Sequence, residues 1–320
     1  MTIRVDQMTP VTIRRMLVPL DGSRLAEVTL PLSVAIAAAA GAALTLLHVL
    51  ERHPPPMVHG EPHLRDLTTS EDYLRALAAR WGRSGMTIAN HVHPNPQADV
   101  ARSIVEHADE LNADLIALAT HGSGGIRGFL FGSIAQQVLR QGRRPVLLVR
   151  PRAGSRLAVA ETRLRVIIVP LDGTSDAERA LPMAMALAKA TGARLHLVRI
   201  VPTVGHVHGP ASAAAMLTPS ATAALLDLEY QAARDDLQAL AQQLTAIGDV
   251  AVEVRRGDVL DELEHVVGER GADLIVISTH GHRGIEGFLT GSLGARLLGK
   301  LEQPVLLVRH GDPASKAPGS

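Results

Sequence analysis

Two glycine-rich stretches of this chain have the composition of a phosphate cradle. The first carries Gly122, Gly124, Gly125, Gly128 and Gly132, followed by Ser133; the second carries Gly281, Gly284, Gly287 and Gly291, followed by Ser292. Glycine lets a backbone approach a ligand closely and turn through positive φ. Where a helix starts at such a Gly-Ser step, its free N–H groups and dipole favour an anion, and the serine hydroxyl adds a donor. A glycine-rich turn without a ligand is the competing reading of either loop taken alone. Neither loop is a Walker-type cradle, because no Gly-Lys-Ser/Thr follows the glycines. The turns after the first strands, Asp21-Gly22-Ser23 and Asp172-Gly173-Thr174, lack the Gly-x-Gly-x-x-Gly of dinucleotide sites, which argues against nicotinamide chemistry.

Other polar residues stand near these loops. Asp21 and Asp172 either cap the helix that follows or hold a ribose or adenine edge across a cleft. His121 and His280 sit between strand and loop, where a histidine orders the turn or polarises a phosphate. The two loops share no pairing of a nucleophile with a base, so little or no catalytic turnover is expected. His53, His59 and His63, with His206 and His208 in the corresponding segment, lie among prolines and glycines. They read as solvated side chains rather than metal ligands, and no metal site is expected.

The elements that must position these loops occur twice. Residues 113–133 and 272–292 agree at 14 of 21 positions without a gap. The openings Met16–Gly22 and Ile167–Gly173 repeat, as do the closings Pro145–Arg150 and Pro304–Arg309. The chain therefore divides into a first domain over residues 1–150, a linker over 151–164, a second domain over 165–310 and a tail over 311–320. The Asp-Gly pairs lie 151 residues apart and the His-Gly pairs 159, so the second copy holds about eight extra residues in its middle.

Each copy alternates short apolar runs with helical periods. Runs at 16–20, 44–50, 114–119 and 145–149 read as strands buried on both faces, and 87–93 as an outer strand. Helices are expected from Ser23 to Gly41, over 70–81 and 99–111, and from Ser133 to Gln141. The order β-α-β-α-β-α-β-α-β, twice, requires a doubly wound, Rossmann-like parallel sheet with helices on both faces. Pro145 and Pro304 cannot donate to a ladder, so the last strand of each copy is expected at or near an edge. Two apolar edges in one chain are best covered by each other, which makes an internal pseudo-dimer. Ligands of such sheets bind beyond the carboxyl ends of the strands, where strand order reverses.

Composition limits the partners. The 320 residues carry no net charge, aromatics are 2% and cysteine is absent. An electrostatic grip on nucleic acid or a membrane surface, stacking on single strands, disulfides and thiolate catalysis are all argued against. The longest apolar run, from Ala35 to Leu50, is too short to span a bilayer, and a soluble cytoplasmic protein is expected.

With these residues in view, the chain resembles the universal stress protein family, in its tandem-domain form. The family motif Gly-x2-Gly-x9-Gly-Ser/Thr is matched by Gly122-x9-Gly132-Ser133 and by Gly281-x9-Gly291-Ser292. The opening Val-Pro-Leu-Asp and the closing Pro-Val-Leu-Leu-Val-Arg are similar as well. The resemblance implies a five-stranded sheet of order 3-2-1-4-5 that pairs through strand five, and an ATP site, with or without magnesium, in a stress-response module. By position it assigns Pro19, Asp21 and Val49 in the first copy, and Pro170, Asp172 and Ile200 in the second, to the adenosine. It assigns Ala119, Gly122, Gly125, Gly132 and Ser133, and Ser278, Gly281, Gly284, Gly291 and Ser292, to the phosphate side. Ala119 and Ser278 replace the first motif glycine. Gly257-Asp258 follows the family pattern more closely than Ala98-Asp99 does, which favours the second copy if only one binds. A ligand-independent interaction or dimerisation protein of the same fold, or a slow ATP hydrolase, are the alternatives. A homodimer and the protein partner are left open.

Overall fold

The computed structural model describes residues 8–83, 85–120, 133–151, 162–206, 217–245, 248–279 and 299–309. The described parts of 12–163 and 279–320 form one compact unit, and those of 1–11 and 164–278 a second.

In the first unit the chain enters through β1 (Arg15–Pro19), whose Met16, Leu17 and Val18 are fully buried. It turns into a split helix, α1 (Arg24–Glu27) and α2 (Leu30–Ala40). One continuous helix was expected here; instead Thr29 spends its hydroxyl on the Ala26 carbonyl, 2.9 Å away, and Pro31 opens a new helix. Gly41, in the left-handed conformation, ends α2 as expected. The elements that follow are β2 (Ala43–Glu51), a small hairpin of β3 (Met57–Val58) and β4 (Glu61–Pro62), and α3 (Leu67–Trp81). After them come β5 (Ile88–Gln97), α4 (Val100–Glu110), β6 (Leu115–Ala119), α5 (Ser133–Gln141) and β7 (Val146–Val149). Asp66 and Asp99 cap α3 and α4 through their side chains.

The strands lie in the order β5-β2-β1-β6-β7, all parallel, which is 3-2-1-4-5 in chain terms. β1 is central, with Leu17 opposite Thr45 on one side and Ile116 on the other.

The second copy repeats the plan. It runs through β8 (Val166–Pro170), α6 (Ser175–Glu178), α7 (Leu181–Thr191) and β9 (Arg194–Val201). It continues with α8 (Pro219–Leu244), β10 (Val250–Arg256), α9 (Val259–Glu269) and β11 (Leu274–Thr279). The order β10-β9-β8-β11 is again parallel. The extra residues of this copy are accounted for by α8, which has 26 residues where α3 has 15.

The remaining strand, β12 (Val305–Arg309), belongs to the unit of β7 and runs antiparallel to it, Leu306 opposite Leu147. β7 is thus the last strand of its own five, as Pro145 suggested, with β6 on one side, and β12 covers the edge it would otherwise leave open. Proline is tolerated because it precedes the ladder, and its carbonyl still accepts from the Ile116 amide at 3.0 Å. Two arginines fasten this arrangement. Arg150 donates through Nη1 to the carbonyls of Gly299 and Leu301, each at 3.1 Å, and Arg309 donates to the Leu139 carbonyl. Helix-end carbonyls lack partners of their own, so a guanidinium there satisfies them and meets the negative end of the dipole.

A polar cluster stands on β9 and β10. Glu253 accepts from His196 at 2.9 Å, from Arg270 at 3.0 Å and from Arg255. Burial works against ionisation of this carboxyl, but the hydrogen bonds from Arg270, Arg255 and His196 outweigh it and hold its pKa at about 2.

Two measurements test these contacts. Arg150→Met should cost about 1.5–3 kcal/mol in urea unfolding, the worth of hydrogen bonds to a charged group. Glu253 has a folded pKa below its ordinary 4.5, so its contribution is present above that value and lost as pH falls towards 2. The stability difference between the wild type and Glu253→Gln should shrink across that window.

Candidate functional site

β1 is saturated on both sides by β2 and β6, so what it offers to a ligand lies beyond Pro19. Leu20 adds one more bond to the sheet, to the Leu47 carbonyl at 2.8 Å. The chain then turns at Gly22, with φ of 90°. Asp21 does not cap α1 itself. Its Oδ1 accepts from the Ser23 amide at 2.9 Å and from the Ser23 hydroxyl at 2.6 Å, and Ser23 is the residue that caps. The other oxygen, Oδ2, lies 3.7 Å from His59 Nε2. Asp172 repeats the device with Thr174, at 2.9 and 2.6 Å.

Beside this turn a cleft of about 250 Å³ opens in the first copy. Pro19 and Asp21 from the end of β1, Val49 from β2, Ala119 from the end of β6 and Ser133 from the start of α5 all line it. Five sequence-expected residues, drawn from four elements, thus meet in one cavity. Leu25, Ile104 and Leu118 supply part of its apolar wall.

The cleft also holds polar residues that sequence reasoning missed: His48, Glu51, His59 and His63. His48 Nδ1 donates to the Leu20 carbonyl at 2.8 Å, while its Nε2 is buried and has no partner in the structure. Burial lowers the pKa of His48, so the ring is neutral at pH 7 and Nε2 is an acceptor awaiting a donor. His63 was expected in solvent; it is buried, with Nδ1 2.9 Å from the Leu64 carbonyl and Nε2 3.4 Å from Glu51. The small hairpin explains the difference, because it lays the segment containing His59 and His63 along the cleft rather than out into water. His53 is exposed, as expected.

In the second copy, Pro170 ends β8, Ile200 stands near the end of β9 and Ser278 near the end of β11. These are the carboxyl ends of neighbouring strands. The position of His48 is taken by Arg199, whose guanidinium packs under the turn: a Cβ on Gly173 would run into its Nη2. Arg199 also reaches Asp236 of α8 at 3.5 Å. His206, exposed as expected, pairs with the Thr203 hydroxyl at 2.6 Å. Gly122, Gly125 and Gly132, Gly281, Gly284, Gly291 and Ser292, and His121, His208 and His280 lie outside the described residues, as does most of the 151–164 linker.

This pairing of a repeated α/β sheet with a switch-point cleft has a match among known families. The model of the universal stress protein family matches residues 12–150 and again 163–309. The chain belongs to the universal stress protein family. Among family relatives, a universal stress protein of Methanocaldococcus jannaschii is 28% identical over 149 residues, covering 47% of this chain and 84% of that protein. One of Mycobacterium tuberculosis is 24% identical over 213 residues, and the match spans 65% of each chain. Among solved structures, a universal stress protein of Archaeoglobus fulgidus superposes with a TM-score of 0.66 at 20% identity, over 93% of this chain and 98% of that one. A putative universal stress protein of Pseudomonas aeruginosa gives 0.62 at 17% identity, over 93% of each chain. These likenesses establish the tandem family fold. Among the described residues no helix is long and apolar enough to cross a membrane.

The turn at Gly22 is testable by comparison with Gly41. Both have positive φ, but a Cβ at Gly22 would meet Leu64 Cγ at 2.8 Å, whereas nothing lies within 4 Å of one at Gly41. Gly41→Ala should cost about 1–2 kcal/mol from backbone strain alone. Gly22→Ala should cost more in the same denaturation assay, and should narrow the cleft.

Proposed function

We propose that the cleft of the first copy binds the adenosine part of an adenine nucleotide, ATP with or without magnesium. The observation that carries this reading is the convergence of Pro19, Asp21, Val49, Ala119 and Ser133 on one cavity at the switch point of a doubly wound sheet. The chemistry of the lining fits a nucleoside. Apolar walls suit a base, Asp21 Oδ2 suits a ribose hydroxyl, and the neutral His48 Nε2 suits a donor such as an exocyclic amine. Ser133 stands at a helix start, where a phosphate is favoured. The phosphate role of Gly122, Gly125 and Gly132, and the corresponding site at Pro170, Asp172, Ile200, Ser278, Gly281, Gly284, Gly291 and Ser292, rest on the sequence motif alone.

On this reading the protein is a cytoplasmic stress-response module whose state follows nucleotide occupancy, with little turnover. Residues 1–150 and 165–310 serve as its two nucleotide-type domains, joined through their fifth strands.

Isothermal titration of the full chain with ATP tests the proposal. Binding is expected in the wild type. Val49→Trp, which fills the cleft, should abolish it. Asp21→Asn keeps an acceptor for Ser23 but loses the charge, and should weaken binding at least about tenfold, or 1.4 kcal/mol. Absence of both heat and thermal shift in the wild type overturns the proposal and favours a ligand-independent interaction protein. Unchanged affinity in Val49→Trp moves the site away from this cleft.

A further inference from the structure

Away from the cleft, three imidazoles of the first copy come together at the outer strand of its sheet. His91 and His93 are two residues apart on β5, so they leave the same face of the strand. His107 comes from the last turn of α4. Their ligand nitrogens all lie within 4.8 Å of one another. His107 Nδ1 donates to the Ser103 carbonyl at 2.7 Å, which fixes its proton there and leaves the Nε2 lone pair facing His93 Nδ1 at 3.3 Å. His91 Nε2 is buried without a hydrogen-bond partner in the structure. A buried polar atom left unpaired is costly, and three converging ring nitrogens are too few donors to satisfy one another.

We infer that His91, His93 and His107 form a binding site for a divalent transition-metal cation of the zinc class, with the fourth position left to water. Metal–nitrogen bonds of about 2.0–2.1 Å in a tetrahedron set ligand nitrogens about 3.3 Å apart. The His93–His107 pair already has that spacing, and the third ring closes by no more than about 1.5 Å. Imidazoles without a carboxylate ligand select zinc, copper, nickel or cobalt over magnesium and calcium, which demand oxygen. Outer partners are in place as well. The Ser103 carbonyl orients His107, and the Gln97 side-chain amide, which also donates to the Asn95 carbonyl at 3.0 Å, stands 2.6 Å from His93 Nε2 and orients that ring.

The second copy provides an internal control. His91 lies opposite Leu47 and His93 opposite Val49; the corresponding partners of Val198 and Ile200 are Glu253 and Arg255. Counting eight residues from the capping Asp99 and Asp258 sets Val266 where α4 has His107. The proposed site is thus confined to the first copy, and one metal per chain is expected.

The test is calorimetric titration of the full, chelator-stripped chain with zinc chloride in the absence of nucleotide, with cobalt(II) absorption as a second readout. One equivalent of zinc, and the intense visible bands of four-coordinate cobalt, are expected. His93→Gln and His107→Gln should each weaken zinc binding at least about a hundredfold. His93 is half-buried on the outer strand, so its variant keeps the test valid if the His107 variant fails to fold. His53→Gln, at an exposed histidine, should change nothing. No zinc binding in the wild type overturns the proposal, as does binding that survives His93→Gln or is lost in His53→Gln.

Discussion

The constraint on which the rest depends is the saturation of the central strand. β1 has hydrogen-bonded neighbours on both sides and buries Met16, Leu17 and Val18, so what it offers to a ligand lies at its carboxyl end. The position of Asp21 in the candidate cleft follows from how the chain leaves that end. Leu20 holds on to β2 for one more residue, Gly22 turns through positive φ, and Asp21 is left with one oxygen committed to the helix cap and the other turned towards His59. β6, on the other flank, ends at Ala119 at the same level, and its Thr120 is tied to the Val149 carbonyl. The cleft is the space that these saturated strands cannot fill.

Much of this was legible in the sequence because the signals are local. Apolar runs bounded by Gly and Pro gave the buried strands, Asp99 and Gly41 marked helix ends, and the repeat supplied a second instance of each. What was not legible depends on contacts between distant segments. His48 sits inside an apolar run and reads as core; only the fold reveals that one nitrogen meets Leu20 while the other meets nothing. His63 reads as loop because a two-residue strand has no periodicity to detect. The proline at 145 marked the last strand of its copy, and because it lies one residue before β7 it leaves that strand free to pair with both β6 and β12.

The two copies show how one backbone can carry different electrostatics. The order of their first four strands, the Asp21 and Asp172 turns and the Asp99 and Asp258 caps coincide, which sets equivalent positions on equivalent strands. At one of these positions a neutral imidazole in the first copy gives way to the Arg199 guanidinium, which takes up the space under the turn. At two others, imidazoles give way to Glu253 and Arg255, and an ion-paired network replaces a cluster of imidazoles. Each set is consistent within itself. A carboxyl whose pKa is held at about 2 depends on the guanidinium groups around it.

That internal consistency bears on which copy meets which ligand. Beneath the Asp172 turn the second copy has a guanidinium, shared with Asp236, where the first copy has an imidazole. The first copy has instead a neutral acceptor and an apolar wall, which suit the uncharged face of a base. Identical motifs at Val18–Asp21 and Val169–Asp172 therefore do not imply identical affinities. The difference resides in residues that no motif includes, on the strand next to the one that carries the motif.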